Sequence, residues 1–287
     1  MDTNMQKYIA FIKTVEYGSL SKAAEALGYS QSNISHMING LEKEWNVTLL
    51  NRSRAGLQLT SDGVKLLPLV RTLYEDFRQI QNRVDELNKL ESGLIRIGTF
   101  SSIATHWLPN IIKTFNNDYP NINYELLLGD YSQVEHWIME GRVDCGFLRM
   151  PTLPEFETIS LGLDEMLVVL PENNPYAASE RFPAKALEDY PFMMVERGGD
   201  AEIAEIFKTN GVKPHIQFET WDDYAIMAMV EAGLGISILP KLILNRLSYN
   251  IVVKKLDNPA YREIGLALKS LRNAPLAVKK FLEYIRT

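Results

Sequence analysis

The sequence has a single cysteine in 287 residues, which excludes an internal disulfide and any redox switch made of two thiols of one chain. Cys145 sits in the apolar run Val143–Leu148, so a buried and inert thiol is expected. Histidine is scarce too: His36, His106, His136 and His215 are scattered and make no metal-binding pattern. No apolar run approaches the roughly 20 residues that cross a bilayer. The opening MDTNMQKYIAFIKTVEYG lacks the apolar core of a signal peptide, which points to a cytoplasmic protein without membrane contact. There is no GxxxxGK[ST] loop and no GxSxG elbow, and Gly233-Leu234-Gly235 lacks the third glycine of a dinucleotide fingerprint. Asp222 and Asp223 are adjacent, so on a helix they diverge and cannot converge as an acid–base pair. Neither an enzyme nor a bound cofactor or metal is expected.

The composition, 46% hydrophobic and 23% charged, is that of an ordinary folded protein, and the length suits two or three domains. The net charge of −6 runs against a nucleic-acid binder if taken alone. Residues 1–60 hold six Lys/Arg and five Asp/Glu, a balance of about +1. Counterion release scales with the phosphates neutralised, so one copy of such a module would bind DNA weakly and several copies are needed.

The informative stretch is 18–60, GSLSKAAEALGYSQSNISHMINGLEKEWNVTLLNRSRAGLQLT. Met5, Tyr8, Ile9, Ile12 and Val15 give a first helix an apolar face. A second helix, about Leu20 to Leu27, packs small Ala23 and Ala24 and stops at Gly28, which tolerates the left-handed turn. Ser30 is placed to cap a third helix whose buried stripe is Ile34, Ile38, Leu41 and Trp45. The opposite face carries Gln31, Ser32, Asn33, Ser35, His36 and Asn39, rich in donors and acceptors and poor in charge. Such a face suits base edges; a merely solvated one usually holds Lys and Glu. Asn46 suits the helix end. Leu49-Leu50 and Leu57-Gln58-Leu59 then flank a short hairpin whose Arg52 and Arg54 suit phosphate contact or a minor groove. Together these make a winged helix-turn-helix with DNA-binding residues Ser30, Gln31, Ser32, Asn33, Ser35, His36, Arg52 and Arg54.

From Ser19 to Gly63 the sequence resembles the DNA-binding half of the LysR-type transcriptional regulators. The matching residues are Ser19, Ala23-Ala24, Leu27, Ser30-Gln31, Ser35, Leu41-Glu42, Leu49, Arg52, Leu59-Thr60 and Gly63, with Asn46 and Leu50 as mild departures. The order of the remaining elements is similar to the family over essentially the whole chain.

Thr60 can cap a helix from Ser61, in which Leu66, Val70, Leu73, Phe77, Ile80, Val84 and Leu87 alternate four- and three-residue steps. That is a coiled-coil seam, and its natural partner is the same helix of a second copy. Pro68 should bend this helix near its start, and Glu91-Ser92-Gly93 should form a hinge. The domain expectation is a winged helix at 1–60, a linker and dimerisation helix at 61–92, and an effector-binding domain at 93–287.

From Leu94 strands and helices alternate, which predicts α/β layers with mostly parallel sheets. Strands are expected at Leu94–Thr99, Ile122–Leu128, Val143–Leu148, Met166–Leu170, Phe192–Val195, Ile216–Phe218 and Gly265–Leu268. Helices are expected at Ser102–Asn117, Tyr131–Glu140, Ala201–Thr209, Asp223–Ala232 and Leu276–Ile285. A chain that leaves one lobe near 162 and returns near 265 implies lobe I at 93–162 and 266–287, and lobe II at 163–265. This resembles the family's two-lobed, periplasmic-binding-protein-like effector domain. Ligands in such folds sit at the carboxyl ends of strands. The expected effector site comprises Thr99, Ser101, Ser102, Gly129 and Arg149, faced by Glu196 and Thr220. A helix start and an Arg there favour a small anion. Phe100 stands where the family often has a small hydroxyl residue, and should narrow the pocket or make it more apolar.

The resemblance implies a regulator that binds double-stranded promoter DNA as a homodimer or tetramer, with ligand between the lobes shifting dimer geometry and with RNA polymerase as a further partner. Two other readings stand beside it. A solute-binding protein would have no use for residues 1–60, and an architectural DNA protein would show no ligand response.

Overall fold

The computed structural model describes residues 2–53, 56–87, 93–195, 201–220, 222–246 and 248–285. The expected hinge at 91–92, Arg54 and Glu196 lie outside them. The chain divides into two compact units, Met1–Asn88 and Lys89–Thr287.

The first unit contains α1 (Asp2–Tyr17), α2 (Leu20–Leu27), α3 (Gln31–Trp45), β1 (Leu50–Ser53), β2 (Gly56–Leu59) and α4 (Ser61–Leu87). Of the apolar face expected on α1 only Ile12 is fully buried; Ala10, Phe11 and Thr14 go deeper than Met5, Tyr8, Ile9 and Val15. The reason is that α1 packs against α2, α3 and α4 together, so its buried arc is set by three neighbours instead of one stripe.

Local chemistry sets the turn between α2 and α3. Ser19 Oγ accepts from Lys22 N–H, and α2 ends at Gly28 with φ +68°. Tyr29 N–H then returns to the Ala24 carbonyl at 2.9 Å. Ser30 Oγ accepts from Asn33 N–H at 3.2 Å to start α3. At the far end Asn46 adopts φ +56° and Val47 N–H reaches the Glu42 carbonyl.

Strands β1 and β2 pair antiparallel from Leu50↔Leu59 to Ser53↔Gly56. Glu42 Oε1 accepts from the N–H groups of Leu49 (2.7 Å) and Leu50 (3.1 Å), so the base of the hairpin is tied to α3. Thr60 Oγ1 accepts from Gly63 N–H at 2.9 Å and donates to the Thr48 carbonyl. A side chain at position 63 would lie 2.3 Å from the Leu49 carbonyl oxygen, so only glycine fits there.

Helix α4 continues through Pro68, where Thr72 Oγ1 donates to the proline carbonyl at 3.1 Å. The expected seam changes use along its length. Val70, with Leu67, is buried in the first unit's own core, and Leu66 and Tyr74 pack against it. Leu69, Leu73, Ile80 and Val84 are the large apolar side chains left exposed on α4 beyond its first turn.

The second unit runs β3 (Gly93–Thr99), α5 (Ser101–His106), α6 (Leu108–Asp118), β4 (Ile122–Leu128), α7 (Tyr131–Met139), β5 (Cys145–Arg149), β6 (Glu157–Pro171), β7 (Arg181–Phe182), β8 (Pro191–Val195), α8 (Ala201–Asn210), β9 (His215–Thr220), α9 (Asp223–Glu231), β10 (Ser237–Pro240), α10 (Lys241–Leu244), β11 (Ile251–Leu268) and α11 (Leu276–Ile285). The helix expected over 102–117 is two helices, because the chain turns at Trp107 and Pro109 restarts it as an early α6 residue.

The sheets are mixed, where mostly parallel ones were expected. Strand β3 pairs parallel with β4 and β5, and β8 with β9, whereas β6, β10 and β11 form antiparallel ladders. The expected strands Met166–Leu170 and Gly265–Leu268 are only the apolar ends of β6 and β11, of 15 and 18 residues. The first half of β6 alternates exposed and half-buried residues, and the half-buried run Ile251-Val252-Val253 that opens β11 was passed over. These two strands link the lobes: β6 sends Ile159 and Leu161 against one core, around Ile95, Ile97, Phe115, Phe147 and Phe281, and Met166, Val168 and Leu170 into a second, around Phe182, Phe192 and Ile238.

Candidate functional site

On α3 the stripe Ile34, Ile38 and Leu41 is fully buried, while Gln31, Ser32, Asn33, His36 and Asn39 are exposed and Ser35 is half-buried. The helix therefore presents one polar face on a rigid support. Ser30 has a structural task, since its Oγ caps the helix and lies 2.9 Å from Ser32 Oγ. Arg52 is on β1, and Arg54 lies outside the described residues.

In the second unit, Thr99 ends β3, Gly129 follows β4, Arg149 ends β5, Val195 ends β8 and Thr220 ends β9, so the expected site residues stand at strand ends. Gly129 N–H donates to the Thr99 carbonyl at 3.0 Å. Thr99 is fully buried, Ser101 and Thr220 are half-buried, and Thr220 Oγ1 accepts from Asp222 N–H. Ser102 is also fully buried, and its Oγ accepts from Arg262 Nη2 at 2.9 Å. Ser102 thus faces a protein cation.

Arg262 is the residue the sequence reading missed. It lies directly across the β6–β11 ladder from Asp164 and is 3% exposed. Its Nε and Nη2 donate to Asp164 Oδ2 at 3.0 and 2.8 Å, and its Nη1 donates to Tyr131 Oη at 3.1 Å. Asp164 Oδ1 accepts from Leu242 N–H, at the start of α10. The guanidinium lies 5.2 Å from the centre of the Phe100 ring, against which Tyr131 packs edge-on. Phe100 is buried beneath this cation and does not line the adjacent cavity. Burial opposes the charge on Arg262, but Tyr131, Asp164 and Glu202 outweigh it and raise its pKa.

Tyr131 Oη also donates to Glu202 Oε1 at 3.1 Å. Arg149, expected to greet an anion, faces Glu202 at 3.7 Å and Glu205 at 3.5 Å. Two cavities meet here. The smaller is lined by Tyr131, Glu202, Asp223 and Arg262 among apolar side chains; the larger is lined by Arg149, Glu202, Glu205 and Tyr261 among others. Cys145 is fully buried, and burial pushes its thiol pKa up. No group of His, Cys, Asp and Glu among the described residues could hold a metal ion.

A helix-turn-helix with an exposed polar recognition face, joined to a two-lobed α/β domain with cavities at its strand ends, defines a ligand-responsive DNA-binding regulator. Residues 5–64 match the bacterial regulatory helix-turn-helix model of the LysR family, and residues 88–287 match the LysR substrate binding domain model. The chain belongs to the LysR family of transcriptional regulators, which are DNA-binding proteins with an effector-binding domain and are not enzymes. It is 33% identical over 276 residues, covering 95% of this chain and 94% of the relative, to the uncharacterized HTH-type transcriptional regulator YvbU of Bacillus subtilis. Full-length CbnR complexed with its target DNA shares the fold with a TM-score of 0.70, 21% identity and 98% coverage of both chains. The effector-binding domain of QuiR in complex with shikimate superposes with a TM-score of 0.61 at 22% identity, covering 68% of this chain and 95% of that one.

Proposed function

We propose that this regulator reads its operator with the α3 face Gln31, Ser32, Asn33, Ser35 and His36, while Arg52 and Arg54 of the hairpin hold the phosphate backbone. The supporting observation is the division of α3 into a fully buried side, Ile34, Ile38 and Leu41, and an exposed side of uncharged donors and acceptors. Two copies pair through α4, whose Leu73, Ile80 and Val84 remain exposed in a single chain and sit at seam positions. Pairing doubles the phosphate contacts of a weakly charged module, and two dimers form the tetramer that occupies one promoter beside RNA polymerase. Among the described residues no helix is long and apolar enough to cross a membrane, in keeping with action on DNA in the cytoplasm.

The effector is a small anion at the strand ends of the second unit, with Arg149 as its cation and Ser101 beside it; Thr99, Ser102 and Gly129 shape the floor, and Glu196 and Thr220 close over it. The QuiR domain holds shikimate, a carboxylate. Selection of DNA fragments from a random pool by the full chain tests the DNA half of this reading. An interrupted palindrome should be enriched by the unmodified chain and enriched less by Gln31→Ala; enrichment of nothing beyond bent or A·T-rich DNA would make this an architectural protein.

A further inference from the structure

The Glu202 carboxylate lies beside two lobe I groups, the Tyr131 hydroxyl and the Arg149 guanidinium. Tyr131 belongs to lobe I, at the start of α7, and Arg149 to lobe I, at the end of β5, whereas Glu202 comes from the first turn of α8 in lobe II. The hydroxyl donates to Glu202 Oε1 at 3.1 Å. Arg149 approaches the same oxygen at 3.7 Å, longer than an ordinary hydrogen bond. Its second pairing is with Glu205 at 3.5 Å, and Glu205 is 70% exposed and easily turned to water. Arg149 is thus held by charge without a close contact, and its N–H groups can donate to a better-placed oxygen.

Arg262 cannot take this part. Two of its nitrogens hold Asp164, one of those also holds Ser102, and the third holds Tyr131. Glu202, in contrast, lines both cavities. Moving its side chain aside would release two lobe I donors towards the space it lines.

We propose that Glu202 is an internal occupant of the effector's anion subsite, and that the effector carries a carboxylate which replaces it on Tyr131 and Arg149. This rests on the reading of the strand-end cleft as the effector site. The consequence is regulatory: the bonds between Glu202 and the lobe I pair join the lobes in the unliganded chain, and the ligand exchanges that tie for its own. The displaced carboxylate keeps its charge and turns to water beside Glu205. Asp164, Asp223 and Glu205 remain near the cleft, so bare anionic charge is repelled, and a carboxylate that lacks the rest of the effector should bind weakly to the unmodified chain.

The test uses acetate as probe and acetamide as its uncharged counterpart, at constant ionic strength, titrated against the full chain by calorimetry. Glu202→Gln removes the competing charge and should bind acetate at least tenfold more tightly than the unmodified chain, with acetamide equal in both. Adding Arg149→Gln to Glu202→Gln should abolish the gain. Tyr131→Phe, which keeps the ring against Phe100, should cut the acetate affinity of Glu202→Gln several-fold while leaving its circular dichroism unchanged. Equal acetate affinity with and without Glu202, or a gain that survives Arg149→Gln, overturns the proposal. A metabolite panel run on the same proteins separates this failure from that of the underlying reading. Ile203 lines the same cavity as Tyr131 and Glu202, and uncharged compounds whose binding is lost on filling it with Ile203→Trp would keep the cleft as the effector site while sinking the Glu202 exchange. No binding by any protein to any compound would overturn both.

Discussion

Along α3 the polar side chains face outward from a sealed apolar stripe; in the cleft of the second unit they face one another. Gln31, Ser32 and His36 stand exposed and await an external surface. Arg262, Asp164, Ser102, Tyr131 and Glu202 already form one chain of charge-assisted hydrogen bonds. The first surface is built to gain contacts when DNA arrives, and its residues should matter little to folding. The second has its contacts in place, so its residues should matter strongly to folding and its ligand must exchange contacts instead of adding them. That difference separates the stability and binding consequences of mutations in the two units.

The largest expected effect falls on the buried pair. Arg262→Met leaves Asp164 buried without its cation and should cost about 3–5 kcal/mol, measured by urea denaturation of the full chain. A loss under about 1 kcal/mol would mean the network is not structural and would break the contrast. On the DNA side, Gln31→Ala should weaken discrimination between operator and scrambled DNA by about 1–3 kcal/mol if it reads a base, while the melting temperature stays unchanged. A fall in stability instead would place Gln31 with the structural residues. The first unit has one tight spot of its own. Gly63→Ala forces a methyl against the Leu49 carbonyl and should cost about 1–3 kcal/mol, seen in denaturation of that unit and in reduced DNA affinity through the displaced hairpin.

A smaller effect concerns His106, whose pKa is lowered from 6.5 by burial and then by Arg246, with Asp164 opposing. The unfolded chain takes this proton at the higher pH. Stability from His106 is therefore complete above the unfolded value and declines as pH falls through the lower folded one. His106→Gln should flatten the stability profile just below pH 6.5, and an unchanged slope would remove His106 from the account. Smallest of all, Cys145 should resist thiol reagents until the chain unfolds, since it is fully buried and its thiolate disfavoured.

What was legible in the sequence follows the same division. The first unit is coded locally: Ser19 and Ser30 cap, Gly28 and Asn46 terminate, and Ile34, Ile38 and Leu41 repeat at helical steps, so α2 and the buried stripe of α3 could be read from neighbours in the chain. Where three neighbours compete, as on α1, the reading chose the wrong arc and passed over Phe11. In the second unit the strand ends Thr99 and Leu128 were readable, but the residues that meet there were not. Arg262 and Asp164 are 98 residues apart and are joined by strand register alone. The available signal was a charge of opposite sign at the inner edge of each apolar run, in LDEMLVVL and YREIGLAL; the ladder places Asp164 and Arg262 opposite each other while the two runs extend away from them in opposite directions. The expectation of mostly parallel sheets hid that pairing. Arg149 was found by its position at a strand end, but its acidic neighbours Glu202 and Glu205 lie on a helix whose approach no local pattern shows.

The most direct test of the account is the affinity of the full chain for its selected operator, measured by fluorescence anisotropy with and without a compound that binds the second unit. The account predicts that the compound changes operator affinity and that operator DNA changes the compound's affinity by the same factor, because the two are linked through one equilibrium. It also predicts that Gln31→Ala weakens operator selectivity without altering binding of the compound to the DNA-free chain. Operator affinity that is identical with the second unit empty and saturated would contradict it.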